Sequence, residues 1–290
     1  MIDVTKKLNV DKVEIIAAGV DHAEGITITP DMTIYCGGEA GQIYRIDNDV
    51  PVEVANIHGF MLGLASDLEN RVYAIDNGNK CVWRYDPKTG KTDKWLEGSI
   101  SNPLNVPNHG AFGPDGSYYL TDSGDWDQRD GKVWVKRPGR ELEIFTNEAT
   151  NFPNGNAVSL DGKKLYVLES VPSAICEFEI REDGSAGPKK VLTELDWLVP
   201  DGIRVAADGS LIVSFYSPNL VTRWSPDSGL VALANDPQCV FLAAPTNFEF
   251  CGDNLETMIF TSLARWQLSR VKLGIKGARP HFPSAELIGN

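Results

Sequence analysis

The amino-acid sequence predicts an all-β chain folded as a six-bladed β-propeller whose N-terminal strand closes the last blade. Three observations carry this expectation. First, one order of segments recurs six times: a short apolar strand, an acidic turn, a second strand rich in Tyr, Val and Ile, a further turn and a third strand. The acidic turns fall at Asp31, Glu69, Asp115, Asp161, Asp208 and Asp253. Seven positions before them stand Glu24, Leu62, Asn108, Asn154, Asp201 and Thr246, spaced by 38, 46, 46, 47 and 45. Short antiparallel strands with a period near 45 residues match a four-stranded blade. Second, no stretch of 12 residues holds a helical period. Third, the sixth unit has no fourth strand of its own, whereas VEIIAAG (13–19) has no sheet, so this segment supplies the missing outer strand and leaves no major edge unpaired.

Taken in order, the second strands are TIYC (33–36), RVYAI (71–75), SYYLT (117–121), KLYVL (164–168), SLIVS (210–214) and TMIFT (257–261). Third strands follow at QIYRI (42–46), CVWRY (81–85), KVWVK (132–136), AICEFEI (174–180), LVTRW (220–224) and QLSRV (267–271). Outer strands are legible at VEVAN (52–56), DKWLE (93–97) and ELEIF (141–145). Asp115-Gly116, Asp161-Gly162, Asp208-Gly209 and Thr89-Gly90 are hairpin turns. The six turn carboxylates are therefore assigned to turn structure and solvation. Beyond Leu273 the chain passes Gly274, Gly277 and Pro280, which reads as a tail. One domain over 1–290 is expected, with the propeller at about 13–273 and the tail at 274–290.

Composition excludes several classes of function. Hydrophobic residues at 42% and charged residues at 23% can build a sizeable core. With 27 Lys and Arg against 40 Asp and Glu, the net charge is −13, the wrong sign for nucleic acid or an anionic membrane surface. MIDVTKKLNV has no leader-like apolar run, and no segment approaches the ~20 apolar residues of a membrane span. Five scattered cysteines without a Cys-x-x-Cys pair read as reduced, mostly buried residues. A cytoplasmic location is expected, and no protein partner is evident.

The chemistry lies in the six equivalent residues. In a propeller the first strand of each blade lines the central channel, so positions just before these strands converge on one mouth. Glu24, Asn108, Asn154 and Asp201 are hard oxygen donors; Leu62 and Thr246 are not obvious ligands. Two carboxylates and two amides at a common mouth suit Ca²⁺ or a similar divalent cation. Asn and Asp beside Gly are also ordinary turn residues, but turn chemistry does not call for Glu24 in the same register.

Ala23-Glu24-Gly25, Pro153-Asn154-Gly155, Pro200-Asp201-Gly202, Pro245-Thr246-Asn247 and Gly252-Asp253-Asn254-Leu255, in this order over about Val13–Leu273, make the chain resemble the SMP-30/gluconolactonase/LRE-like family. The resemblance implies a six-bladed propeller, a bound Ca²⁺ or alternative divalent ion (Zn²⁺, Mn²⁺, Mg²⁺ or Fe²⁺) and hydrolysis of a lactone. It implies that Glu24, Asn154 and Asp201 are metal ligands, that Asn108 sits between metal and substrate, and that Asp201 is the general base. The chain departs from the family at two places. Ile26-Thr27-Ile28 follows Glu24-Gly25 in place of the frequent Pro and Trp, and Val106-Pro107-Asn108-His109 stands where sugar-lactone members often carry an Arg, Phe, Asn, Asp run. The lost Arg removes a fork donor for an aldonolactone.

Two further residues are candidates for substrate contact: His109, beside Asn108, and Trp126, in the long loop 122–130 that could cover the third blade. His22, His58 and His281 have no partner at ligand spacing. A nucleophile elbow, a His-Glu-x-x-His helix and a phosphate loop are all missing. The leading expectation is a metal-dependent lactonase acting on a small molecule. Alternatives are an esterase or organophosphate hydrolase on the same metal site, and a non-catalytic calcium-binding propeller.

Overall fold

The computed structural model describes residue 8 and residues 10–289. Met1–Lys7 and Asn9, on which most of the leader reading rests, and Asn290 at the end of the expected tail lie outside the described residues. The described chain forms six four-stranded antiparallel sheets. Each of the first five is a consecutive meander, beginning with Ile26–Ile28, Ile34–Gly37, Gln42–Asp47 and Val50–Asn56 in blade 1. The inner strands of successive blades are neighbours, and that of blade 1 (Ile26–Ile28) also lies against that of blade 6 (Phe248–Cys251), so the ring is closed.

Closure follows the predicted route. Glu14–Ile16 pairs antiparallel with Leu268–Val271, setting Glu14 opposite Arg270 and Ile16 opposite Leu268. Ile16, Ala17 and Val20 are buried in the core shared with blade 6, while Arg270 ties this strand to blade 1 through Glu14 and Asp49.

The burial of each strand explains its composition. Inner and second strands lie between neighbouring blades and are covered on both faces, as in Val72–Asp76, every residue of which is buried. The second strands therefore read as largely apolar runs, as strands buried on both faces do, whereas the inner strands of blades 3 to 5 carry buried polar residues such as Asn108, Asn154 and Asp201. Outer strands such as Lys91–Glu97 are largely exposed and mostly polar. The core is accordingly distributed between blades: Tyr35, Ile43, Leu64 and Tyr85 form one unit between blades 1 and 2, and Val133, Val167 and Phe178 another between blades 3 and 4.

The acidic turns are held as expected in most blades. Asp31, Asp115, Asp161 and Asp208 each accept a hydrogen bond from the backbone N–H two residues on, an Asx turn. Blade 2 differs: Asp67 accepts from Glu69 N–H and Arg71 N–H, and Glu69 instead accepts from Ala285 N–H. The shorter Asp side chain reaches its own loop, and the longer Glu reaches outward. The second strand of blade 5 also runs to Ser217, past the predicted end at 214.

Residues 274–289 run across the ring at the end away from the conserved-register residues. Gly277 makes an isolated bridge with Ala206 in blade 5, His281 Nε2 lies 2.9 Å from the Ser159 carbonyl in blade 4, and Leu68 N–H in blade 2 donates to Pro283. A short helix, Ala285–Ile288, is capped by Ser284 and buries Ile288 with the core of blades 2 and 3. The segment thus straps non-adjacent blades together.

Candidate functional site

Backbone contacts bring the six register residues into one ring at the channel mouth. A Cβ on Gly25 would stand 1.9 Å from the Leu62 carbonyl oxygen, and one on Gly155 would stand 2.2 Å from that of Asp201. The glycine after each of these register residues therefore lets the next blade's register residue approach directly. Hydroxyls complete the ring. Thr121 Oγ1 donates to the Asn154 carbonyl (2.7 Å), Ser214 Oγ to that of Thr246 (3.1 Å) and Thr261 Oγ1 to that of Glu24 (2.9 Å).

Glu24, Asn108, Asn154 and Asp201 are all buried there. Asn108 Nδ2 donates to Ser123 Oγ at 3.0 Å, which turns its amide oxygen away from that hydroxyl. Asn154 Oδ1 and Asp201 Oδ1 are buried without any hydrogen-bond donor. Burial raises the Glu24 carboxyl well above the usual range, and the carboxylates of Asp201 and Glu39 raise it further. Burial likewise raises Asp201, with the Asn154 side chain partly countering by hydrogen bonding. Unpaired oxygens and two carboxylates in mutual repulsion are costly without a positive partner. The donor set fits a hard divalent cation, which would supply that partner.

His109 occupies a different layer. It is buried within the channel, with Nδ1 3.3 Å from Asn156 Oδ1 and Nε2 3.3 Å from Arg204 Nη1. Arg204 can only donate, so Nε2 accepts on that side, and the Asn156 backbone N–H is directed at Nδ1 at 3.4 Å. Burial, reinforced by the Arg204 charge, pushes the imidazole down to about 3 and keeps it neutral. Arg204 Nε in turn pairs with buried Glu249 at 2.6 Å. This network was not singled out in the sequence, although its signal is there. One position after the register residues, four units carry Gly and the other two carry His109 and Asn247; three positions after, Thr27, Ala65, Ala111 and Ala157 are followed by Arg204 and Glu249. Beneath the network a cavity of about 80 Å³ is closed by Ala278–His281, and none of the four mouth residues lines it.

Trp126 is exposed on the mouth side, its ring edge-on to Phe152 with centroids 4.7 Å apart. The carboxylates of its loop make turns: Asp130 Oδ1 accepts from Asp125 N–H, and Asp125 Oδ1 from Asp127 N–H.

A second set of ligand-type atoms, from Asp21, His22 and Glu39, lies within 4.8 Å of one another. Trp266 Nε1, which can only donate, lies 2.6 Å from His22 Nε2. The proton is therefore on Nδ1, which faces Asp21 Oδ1 at 3.0 Å and Glu39 Oε2 at 3.1 Å. That proton occupies the place a cation would need, and the trio serves as a hydrogen-bonded anchor at the mouth.

The family described as SMP-30/Gluconolactonase/LRE-like region matches residues 39–264. The chain belongs to this family. A relative, an uncharacterized protein of Sulfolobus acidocaldarius, is 33% identical over 114 residues, covering 38% of this chain and 40% of that protein. A gluconolactonase from Xanthomonas campestris superposes with a TM-score of 0.77 at 19% identity, over 93% of this chain and 95% of that one. Regucalcin from Agrobacterium tumefaciens, a calcium-binding protein, superposes with a TM-score of 0.73 at 15% identity, over 92% and 97%. At these identities the structures establish the fold, and this family member is a propeller.

Proposed function

We propose that this propeller hydrolyses a lactone with the help of one divalent cation held by Glu24, Asn108, Asn154 and Asp201. The observation that carries the reading is the buried pair of repelling carboxylates beside the donorless oxygens of Asn154 and Asp201. Held by these residues, a divalent cation, Ca²⁺ first by ligand hardness, would offset the carboxylates and would supply stabilisation for negative charge on a carbonyl oxygen. Glu24 contributes charge at the entry of the first blade. Asn108 and Asn154 contribute neutral oxygens that orient the site. Asp201 accepts the proton from water as the water oxygen bonds to the acyl carbon, and returns it to the ring oxygen when the acyl C–O bond breaks, leaving a hydroxy acid. His109 is neutral and tied to Arg204, so proton transfer is assigned to Asp201. Family membership and the gluconolactonase likeness support the reading. The likeness to regucalcin supports a second one, in which the same residues bind calcium without turnover. A lactone panel assayed with and without chelator separates them: chelator-sensitive hydrolysis is expected, and calcium binding with no turnover of any lactone or ester favours the second.

A further inference from the structure

Among the described residues, the exposed tryptophans are Trp126, Trp197 and Trp266, at 46%, 63% and 61% exposure. All three lie on the mouth side. Inner strands run away from the mouth, so the loops from second to third strand, and from outer strand to the next inner strand, return to it. Trp126 and Trp266 are on loops of the first kind and Trp197 is on one of the second. Single exposed apolar residues are ordinary. Three indoles on the face that holds the polar centre are not scattered.

Their placement follows the donor set. Trp126 packs on Phe152, two residues before Asn154. Trp266 packs edge-on to His22, two residues before Glu24, with centroids 5.2 Å apart. Trp197 stands four residues before Asp201. Two of these strand entries thus carry an aromatic pair and the third an exposed indole nearby in the chain, a placement suited to a ligand site with apolar sides and few polar groups at its base. The loop of Trp126 also carries Asp125, Asp127 and Asp130, all exposed, and the chain's net charge is −13, both unfavourable to an anionic ligand.

We infer that the mouth takes a neutral lactone or ester with an apolar alkyl or aryl body, in preference to a polyhydroxylated ring. The inference rests on the hydrolytic reading for its reaction, but the ligand class is read from the rim alone. The test compares kcat/KM across γ-lactones with side chains from methyl to decyl and a polyhydroxylated δ-lactone. Alongside, binding of a non-hydrolysable decyl-substituted lactam is followed by tryptophan fluorescence with Ca²⁺ present. Full burial of a methylene gives about 4-fold, and a half-open rim is expected to give about 2-fold per carbon. Trp126→Ala and Trp197→Ala together should flatten that dependence and weaken lactam binding. Faster turnover of the polyhydroxylated lactone than of any long-chain one overturns the inference and leaves hydrolysis standing. Saturable lactam binding without hydrolysis of any substrate sustains the inference and overturns the hydrolytic reading; neither binding nor hydrolysis overturns both.

Discussion

Asp201, on the inner strand of blade 5, and His109, on that of blade 3, face the same channel in different chemical environments, and their substitutions should separate accordingly. Asp201→Asn keeps an oxygen donor and removes the base, so turnover should fall ~100-fold or more while calorimetry still detects cation binding. His109→Ala should leave the larger share of turnover, yet lower stability by about 1–3 kcal/mol, because Arg204 and Asn156 lose a buried partner. Parallel turnover assays and denaturant titrations of the two variants check both; an inactive His109→Ala beside an active Asp201→Asn would reverse the roles. His109 also fixes a pH dependence. The folded imidazole stays neutral down to about 3, against an ordinary value of 6.5. The unfolded chain therefore binds the extra proton between those values, and stability falls as pH is lowered from about 6.5 towards 3. Melting temperatures across that window should decline less steeply in His109→Gln.

The glycine at 155 and the strand at Glu14–Ile16 are where single elements depend on one contact. Gly155→Ala drives a methyl into the Asp201 carbonyl oxygen, so blades 4 and 5 must separate at the mouth. A loss of about 1–3 kcal/mol is expected, as for other overpacking changes, with weaker cation binding, and an unchanged melting curve would refute the close approach. Deleting residues 1–20 removes the partner of Leu268–Val271 and the buried Ile16, Ala17 and Val20. The exposed edge invites association, so size-exclusion chromatography should show aggregates and the melting temperature should fall.

For the molecule as a whole, the channel mouth links charge to stability. Glu24 and Asp201 are raised by burial, and Glu24 further by Asp201, so the cation-free folded protein holds protons that the unfolded chain releases in the ordinary carboxylate range. That contribution is complete at low pH and is lost as pH rises through and above this range. A divalent cation replaces the protons. Chelated protein should therefore melt at progressively lower temperature towards neutral and alkaline pH, added Ca²⁺ should restore it most at the higher pH, and binding in weak buffer should release protons. A Ca²⁺ effect independent of pH would place the cation away from these carboxylates.

Much of this was legible in the chain because a propeller writes its repeat into the sequence: the register of Glu24, Asn108, Asn154 and Asp201 follows from their fixed seven-residue interval to the acidic turns, and the lone strand before residue 20 follows from the missing outer strand of the sixth unit. Largely apolar runs also marked the second strands, since burial on both faces leaves little polar alternation. The environments of those residues were decided only by three-dimensional packing. Sequence put His109 next to Asn108, and folding sets it against Arg204 from a strand 95 residues away. Residues 274–289, read as a tail, find their partners in blades 2 to 6 through scattered single contacts that carry no local pattern. Periodicity reports what each blade shares with the others; long-range contacts made once, such as His109 with Arg204 and His281 with Ser159, repeat nowhere and so leave no period to read.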